Sequence, residues 1–392
     1  MLWLYWRRAR AVIGAVAAAM GALAALALLA SFLADGKRPG AAPPAALGRG
    51  STAGRSSLPA PNDPVVQRGM LLMAEAVAAC RSVPYRGVQI VAWTSPEGSS
   101  SYLLDVWHRP GGPELARDDD DSDDGTGSLG IPASGGGGTV GVLSLSAGML
   151  DLLRVNYVLE YEGAGTSSNR SASIVAVRRH DGTLAAQFWL DAATGLPLRR
   201  DMFDRSGRRV SEGAFIDLRI GDQELGEVPA EAGRAWTAVA PANGAASRPT
   251  AAQLASLQTD GWRVPGRLAG NMILAGVSQT ATPAGPVVDA RYSDGLSVAS
   301  VFMQRGVLPR TLPGWHQADV SGTRVLATES GSLSEQGLAW SAHGTVYTVI
   351  ADAPPDAVAA IVAQLPHDSH SGFWSRVGRG LSRMASWFDP FS

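Results

Sequence analysis

Apolar residues at helical spacing mark the first element of the folded part of the chain. After Pro64 they recur so as to face one side of a single helix: Val65, Val66, Met70, Leu71, Met73, Ala74 and Val77. Two segments rich in Val, Ile and aromatic residues follow, 85–93 and 102–107, with the turn sequence S-P-E-G between them. They predict an antiparallel hairpin.

Further strand patterns fall into two groups. The first group predicts a meander of antiparallel strands joined by Gly-containing turns: 157–161, 173–178, 185–191, 196–204 and 210–220. The second group predicts five strands and a closing helix: 287–292, 297–304, 324–328, 337–342, 345–351 and 355–365. The groups are separated by residues rich in Ala, Pro and Gly, which have little periodicity.

These patterns predict an α+β fold in two domains. An antiparallel β domain occupies residues 64–222, a linker 223–258, and a smaller α+β domain 259–365. An acidic, Gly-rich insertion at 112–140 interrupts the first domain. Its carboxylates leave calcium binding open as an alternative, but the run lacks the alternating ligands and terminal Glu of an EF-hand. A solvated loop is therefore expected.

The N-terminal residues 1–34 have the pattern of a membrane anchor. Arginines at 7, 8 and 10 precede an uncharged run from Ala11 to Ala34. As a helix at ~1.5 Å per residue, this run spans ~36 Å, enough to cross a bilayer core of ~30 Å. The arginines place the rest of the chain outside the cytoplasm. A cleaved signal peptide is the alternative. A disordered linker is expected at 35–63.

The C-terminal residues 366–392 form a basic amphipathic tail. On a helix, its apolar residues and arginines fall on opposite sides and tryptophans flank the apolar stripe. Such a helix suits a membrane interface, although a helix docked on its own domain has the same pattern. The residues concerned are Phe373, Trp374, Arg376, Val377, Arg379, Leu381, Arg383, Met384, Trp387 and Phe388.

Composition excludes several functional classes. The formal net charge of −2 and the lack of a basic stretch in the body argue against a nucleic-acid partner. Lys37 is the only lysine, so a P-loop or Schiff-base lysine is absent from the body. Cys80 is the only cysteine and is expected to be a small buried hydrophobe. The chain is therefore expected not to be an enzyme, and no cofactor or metal is predicted.

Of two short catalytic or cofactor-binding motifs, the sequence contains one. Residues 125–130 satisfy G-x-G-x-x-G, but an acidic run stands where the preceding hydrophobic strand should be, which argues against a dinucleotide. No serine lies in a G-x-S-x-G elbow. A triad from distant residues stays open.

Two motifs resemble the RseB/MucB family. Residues 189–198 have the sequence W-L-D-A-A-T-G-L-P-L and are similar to the W-x-D-x-x-T-G-L-P-L hairpin of that family and of lipoprotein carriers of the LolA/LppX type. Residues 292–302, Y-S-D-G-L-S-V-A-S-V-F, are similar to the family's Y-S-D-G-L-x-x-x-S-V-F element. The two motifs occur in the family's order. The composition is closer to actinobacterial members.

The resemblance implies a fold and a function. The first domain would be a curved antiparallel sheet, a half-barrel, wrapping helices over an apolar cavity. The protein would be an extracytoplasmic negative regulator that binds a membrane anti-sigma factor and responds to a lipid or lipoprotein component of the envelope. An envelope lipid or lipoprotein carrier is the alternative, and an envelope hydrolase would be a third class. The expected location is the cell membrane, with one N-terminal span.

Aromatic residues on the predicted strands are candidates to line such an apolar cradle, and a place in the ordinary core is the alternative for each. These candidates are Trp93, Tyr102, Trp107, Phe188 and Trp189.

Overall fold

The structure is a computed structural model that describes residues 58–95, 98–118, 143–226, 237–239, 248–328 and 336–367. All of them belong to a compact unit that begins at Ser56. Within these ranges no helix is both long and apolar enough to cross a membrane. The predicted anchor at 1–34, most of the linker at 35–63 and nearly all of the tail at 366–392 fall outside them.

The first sheet has nine antiparallel strands in the order β4-β5-β6-β7-β8-β1-β2-β3-β9. The hairpin and meander expected from the sequence are present, and most strands are longer than their patterns. The strands are β1 (Tyr85–Ser95), β2 (Gly98–His108), β3 (Glu114–Asp118), β4 (Val158–Ser167), β5 (Arg170–Arg178), β6 (Leu184–Asp191), β7 (Pro197–Phe203), β8 (Arg209–Ile220) and β9 (Thr237–Val239).

The second sheet has seven antiparallel strands in the order β10-β11-β12-β16-β15-β14-β13. Antiparallel sheets with few helices, expected from the sequence, are thus confirmed. The strands are β10 (Ile273–Thr282), β11 (Gly285–Ser293), β12 (Val298–Arg305), β13 (Trp315–Val320), β14 (Thr323–Thr328), β15 (Gln336–Ala342) and β16 (Thr345–Asp352).

Helices pack on both sheets. In the first domain they are α1 (Pro64–Ser82), α2 (Ala147–Asn156) and the short α3 (Asp222–Leu225), and in the second α4 (Ala251–Thr259) and α5 (Pro355–Gln364). A 3₁₀ turn lies at Ala269–Asn271. The main core of the first domain lies between the sheet and helices α1 and α2, and the core of the second includes side chains of α4 and α5.

Helix α1 begins and packs for reasons visible in the sequence. Asp63 caps it by accepting a hydrogen bond from the amide of Val65 at 3.0 Å, and Pro64 fits the first helical position. At Gly69, a Cβ atom would come within 2.5 Å of the carbonyl oxygen of Leu159 on β4. Glycine lowers helix propensity, but here it lets the helix approach the backbone of the edge strand.

Two predicted loops contain regular structure. The linker predicted at 223–258 includes β9 and most of α4, and Leu257 of α4 is buried in the second domain's core. A capping box between Thr250 and Gln253 starts that helix. The insertion predicted at 112–140 includes β3, because Glu114 and Ala116 alternate towards the buried face. Residues 119–140 of the insertion are not among the described residues.

A buried polar cluster fixes the chain on both sides of the insertion. The hydroxyl groups of Tyr85 and Ser144 both donate to Oε2 of Glu114, the former at 2.7 Å. Nearby, the amide of Leu145 donates to Sγ of Cys80 at 3.5 Å. Burial raises the pKa of the Glu114 carboxyl, and it raises the pKa of the Cys80 thiol to about 12. Cys80 is therefore a packed thiol at neutral pH.

We expect Glu114→Gln to change how stability depends on pH. Because the folded-state pKa of Glu114 is raised above its ordinary value of 4.5, its contribution to stability is present below that pH. It is lost as the pH rises through the folded-state pKa. Glutamine can still accept from Tyr85 and Ser144 but does not titrate. Urea unfolding at a series of pH values should therefore show a smaller loss of stability with rising pH in the variant.

The control is Glu75→Gln, which removes an exposed carboxylate from helix α1. Its stability should follow that of the wild type across the same pH series. Parallel curves for Glu114→Gln and the wild type would contradict the role given to Glu114.

Candidate functional site

One face of the first sheet turns towards helices α1 and α2. Directly paired residues of neighbouring strands share a face, and the register gives one row across five strands: Phe188, Arg200, Gly213, Val91 and Tyr102. Phe188 is fully buried in the core beneath the helices. The face therefore runs without interruption from that core to the hairpin β1–β2.

Three of the five cradle candidates lie on this helix-facing surface. Besides Phe188 and Tyr102, it includes Trp93, whose ring stacks on that of Tyr102 with centroids 5.2 Å apart and planes 15° apart. Both rings of the pair are partly exposed, whereas Phe188 is plain core. That the stacked pair contacts a ligand stays a prediction.

The other two candidates, Trp107 and Trp189, lie on the opposite face, since successive strand residues alternate. The Nε1 group of Trp107 donates to the carbonyl of Leu225 in α3 at 3.4 Å. The guanidinium of Arg199 lies 4.7 Å from the ring centre of Trp189. Trp107 and Trp189 therefore do not share the helix-facing surface with the other three candidates.

The helix-facing surface carries a second apolar cluster beside the main core. It contains Tyr85, Leu104, Val106, Ala116, Leu143, Leu196 and Phe215, with Tyr102 packed at its border. Gln89 pairs with both Leu104 and Phe215 in the register, so its side chain enters this cluster. Gln89 is fully buried, and its side-chain oxygen and nitrogen have no hydrogen-bond partner in the described part of the chain.

The turn between β11 and β12, residues 293–297, joins the two domains. Oδ1 of Asp294 accepts from the amides of Leu296 and Ser297 at 2.8 and 2.7 Å, which shapes the turn. Gly295 has a φ of +97°, a conformation that favours glycine. This turn is the Y-S-D-G-L motif of the sequence.

The turn packs against helix α2 and against Tyr157, the residue that follows this helix. The side-chain amide of Asn156 donates to the carbonyl of Asp294 at 2.9 Å, and the hydroxyl of Tyr157 donates to Oδ2 of Asp294 at 2.7 Å. Leu296 is buried in the first domain's core. Burial raises the pKa of the Asp294 carboxyl, which the hydrogen bonds partly offset. A residue of the second domain thus completes the core of the first.

An ion pair forms a further link between the domains. Nη2 of Arg200 lies 3.0 Å from Oδ2 of Asp352 at the end of β16, and the two side chains are only 4% and 14% exposed. Nε of Arg200 has no partner among the described residues. Removing one member of a buried pair leaves an uncompensated charge, so the link depends on both residues.

Sequence reasoning did not identify the residues of this junction. Tyr157 falls at the start of a predicted strand, 157–161, and Arg200 lies inside another, 196–204. The available signal was the D-G pair of the Y-S-D-G-L motif, which indicates a turn but not what packs against it. Within the described ranges, no group of three or more His, Cys, Asp and Glu side chains is placed to hold a metal ion.

A comparison with known families addresses the first domain. Residues 140–238 match the family of the MucB/RseB N-terminal domain. The match covers about a quarter of the chain and includes α2 and strands β4 to β8. The family resemblance expected from the sequence motifs is confirmed by it. No curated protein matches the chain.

Several solved structures are similar to the chain at low identity. A complex of Pseudomonas aeruginosa MucA and MucB is 18% identical, with a TM-score of 0.45, over 78% of this chain and 100% of that chain. MucB in complex with MucA(peri) is 20% identical, with a TM-score of 0.40, over 77% and 99%. A LolA superfamily protein from Nitrosomonas europaea is 10% identical, with a TM-score of 0.21, over 39% and 94%. At this level of identity, the roles of individual residues are not transferred from those proteins to this chain.

We expect Gly295→Ala to destabilise the protein by more than the cost of backbone strain alone, because the added methyl group also clashes with helix α2. A Cβ atom at Gly295 would lie 2.7 Å from the amide nitrogen of Leu153 and 2.8 Å from the carbonyl oxygen of Met149. Gly285, with a φ of +109°, has no atom within 4 Å of its Cβ position. Gly285→Ala therefore isolates the strain, about 1–3 kcal/mol.

Urea unfolding of both variants tests this expectation. Gly295→Ala should lose clearly more free energy of unfolding than Gly285→Ala. Equal losses would mean that the turn does not pack tightly on α2.

Proposed function

We propose that the protein is an extracytoplasmic negative regulator of envelope-stress sigma-factor signalling, which binds the extracytoplasmic segment of a membrane anti-sigma factor. The match of residues 140–238 to the MucB/RseB N-terminal domain carries this proposal. The Y-S-D-G-L motif supports it from the other domain, since the motif forms the turn that joins the domains. The protein acts by binding and not by catalysis, and it stays at the membrane through its N-terminal segment.

The contacts at the junction can couple ligand binding in one domain to ligand binding in the other. The turn 293–297 is held by Asn156, Tyr157 and the core around Leu296, and Arg200 pairs with Asp352. A ligand that prefers another arrangement of the two domains has to change these contacts. The first ligand then weakens the binding of a second ligand that prefers the present arrangement. The second ligand weakens the binding of the first by the same free energy.

The proposal includes a lipid-like ligand in the first domain, whose sheet takes a half-barrel form. The second apolar cluster and the stacked Trp93–Tyr102 pair supply apolar contact area on the helix-facing surface. A buried amide without a partner costs about 1–3 kcal/mol, so Gln89 favours a ligand that brings a polar group to it. A molecule with apolar chains and a hydrogen-bonding head meets both conditions.

A lipid or lipoprotein carrier is the second candidate function, because the same surface would serve transport. The two differ in where the protein must go: a carrier leaves the membrane to deliver its cargo, whereas a regulator stays beside its partner. The apolar run at 11–34 favours the regulator.

The first test is calorimetric titration of the full chain, held in nanodiscs of neutral lipid. The titrant is a synthetic extracytoplasmic segment of an anti-sigma factor that is encoded by a neighbouring gene. We expect measurable binding that envelope lipid extract weakens, and the segment should weaken lipid binding by the same factor, some 5- to 150-fold. Tyr157→Phe, which removes the hydroxyl bound to Asp294, should reduce this coupling.

The matched control is Tyr161→Phe on β4, which removes a tyrosine hydroxyl that is not the one bound to Asp294 and should leave the coupling unchanged. Tight, stoichiometric lipid binding without any binding of the segment would favour the carrier.

The second test concerns Gln89. Gln89→Met keeps an unbranched side chain of similar size but removes the unpartnered amide. We expect the ligand-free protein to gain about 1–3 kcal/mol of stability in urea unfolding, because a buried unsatisfied group is lost. Binding of envelope lipid should become weaker. Gln187→Met serves as the control, since Gln187 lies on the other face and bonds to Glu162. Unchanged lipid affinity in Gln89→Met would remove this residue from the site.

A further inference from the structure

The described parts of the two sheets have four edge strands, and three of them are protected against pairing with another chain. β4 carries a bulge at Glu162 and ion pairs to Arg178. β9 is only three residues long, and β13 carries Asp319 and contacts α5. Bulges, charges, shortness and covering elements all discourage a further strand. The remaining edge is β10.

The second half of β10 has none of these protections. Its first residues are covered, since the amide of Leu274 donates to the carbonyl of Gly266 at 3.1 Å and Arg267 pairs with Ile273. From Val277 to Ala281 the sequence V-S-Q-T-A contains no charge and no proline, and its register with β11 is unbroken. Gln279 to Ala281 are exposed. No described segment bonds to their outer side.

Pro286 shows which backbone groups of β10 point outwards. It pairs with Ala281, and because proline has no N–H, the two residues cannot exchange a pair of ladder hydrogen bonds. The N–H and C=O of Ala281 therefore point away from β11. By strand alternation, those of Gln279 and Val277 do the same. Three donors and three acceptors are thus presented along this free edge of β10, residues 277–281.

A buried carboxylate lies one strand in from the free edge. Asp289 of β11 pairs with Ser278 and is only 6% exposed. Its Oδ2 lies 3.8 Å from Nε of Arg291, while its Oδ1 has no hydrogen-bond partner in the described ranges. Burial raises the pKa of Asp289 to about 6, so the carboxyl is ionised at neutral pH. The small side chain of Ser278 separates it from the edge.

We propose that the free edge of β10 binds an extended peptide segment of a partner protein as an added strand, and that an arginine or lysine of that segment pairs with Asp289. The main-chain groups of Val277, Gln279 and Ala281 hold the peptide backbone, and the unpartnered Oδ1 selects the basic side chain. This inference does not depend on the identity of the partner proposed above.

The distances permit this pairing. Neighbouring strands are ~4.8 Å apart, so an added strand lies ~10 Å from β11, across β10. An arginine and an aspartate side chain together cover that separation when the residue between them is as small as serine. The side chain must lie on the face shared by Ser278 and Asp289, which fixes which alternate residues of the peptide are read.

The test uses the full chain and a fluorescently labelled heptapeptide, Thr-Val-Thr-Arg-Thr-Val-Thr, with a twin that has glutamine in place of arginine. Fluorescence anisotropy should show the arginine peptide binding at least about tenfold more tightly, the gain expected of a charge-assisted hydrogen bond. In Asp289→Asn the two peptides should bind with similar affinity. In Gln279→Pro, which removes an outward N–H, both should lose binding, while Gln279→Ala keeps it.

A change on the peptide side removes any doubt about folding of Gln279→Pro. In a peptide that is N-methylated at every second residue, the residues that would face β10 have no N–H group to donate. Such a peptide should bind the wild-type protein much more weakly. Hydrogen exchange should show protection of the amides of residues 277, 279 and 281 when peptide is bound. The proposal is overturned if the arginine peptide does not bind, if Asp289→Asn keeps the preference for arginine, or if N-methylation has no effect.

Discussion

The arrangement of the two domains depends on the burial of one carboxylate, that of Asp294, at the tip of the β11–β12 turn. A buried carboxyl group needs hydrogen-bond partners, and this one has them from both sides: two amides of its own turn and the hydroxyl of Tyr157 in the other domain. Gly295 permits the close approach to α2, and Leu296 fills space in the first core. Polar and apolar contacts thus fix the same position.

This junction gives the two sheets unequal roles. The first sheet has a helix-facing surface that passes from a filled core under α1 and α2 to a cluster with an unpartnered amide at Gln89. Arg200, in the middle of that surface, is already paired with Asp352 of the second domain. A molecule held near Gln89 and a polypeptide held by the second domain would therefore act on neighbouring contacts, as the proposed regulator requires.

The two proposed modes of recognition use different groups. The helix-facing surface of the first sheet offers side chains, apolar with a few polar atoms, and suits a small amphiphilic molecule. The free edge of β10 offers main-chain groups and suits a polypeptide of almost any sequence, so its selectivity has to come from a neighbouring side chain. Asp289 supplies one, because one oxygen of this buried carboxylate has no hydrogen-bond partner among the described residues.

The sequence by itself determined most of the strand segments, helix α1 and the family motifs, because these follow from local periodicity, capping and turn chemistry. It did not predict strands β3, β9, β10 and β13 or helix α2. It misjudged 223–258, where the capping box at Thr250 and Gln253 begins helix α4. Only the tertiary structure decided that Trp107 and Trp189 face away from Tyr102, that Tyr157 meets Asp294, and that Gln89 is buried without a partner. Such facts depend on register and on contacts between residues distant along the chain, which a local pattern does not contain.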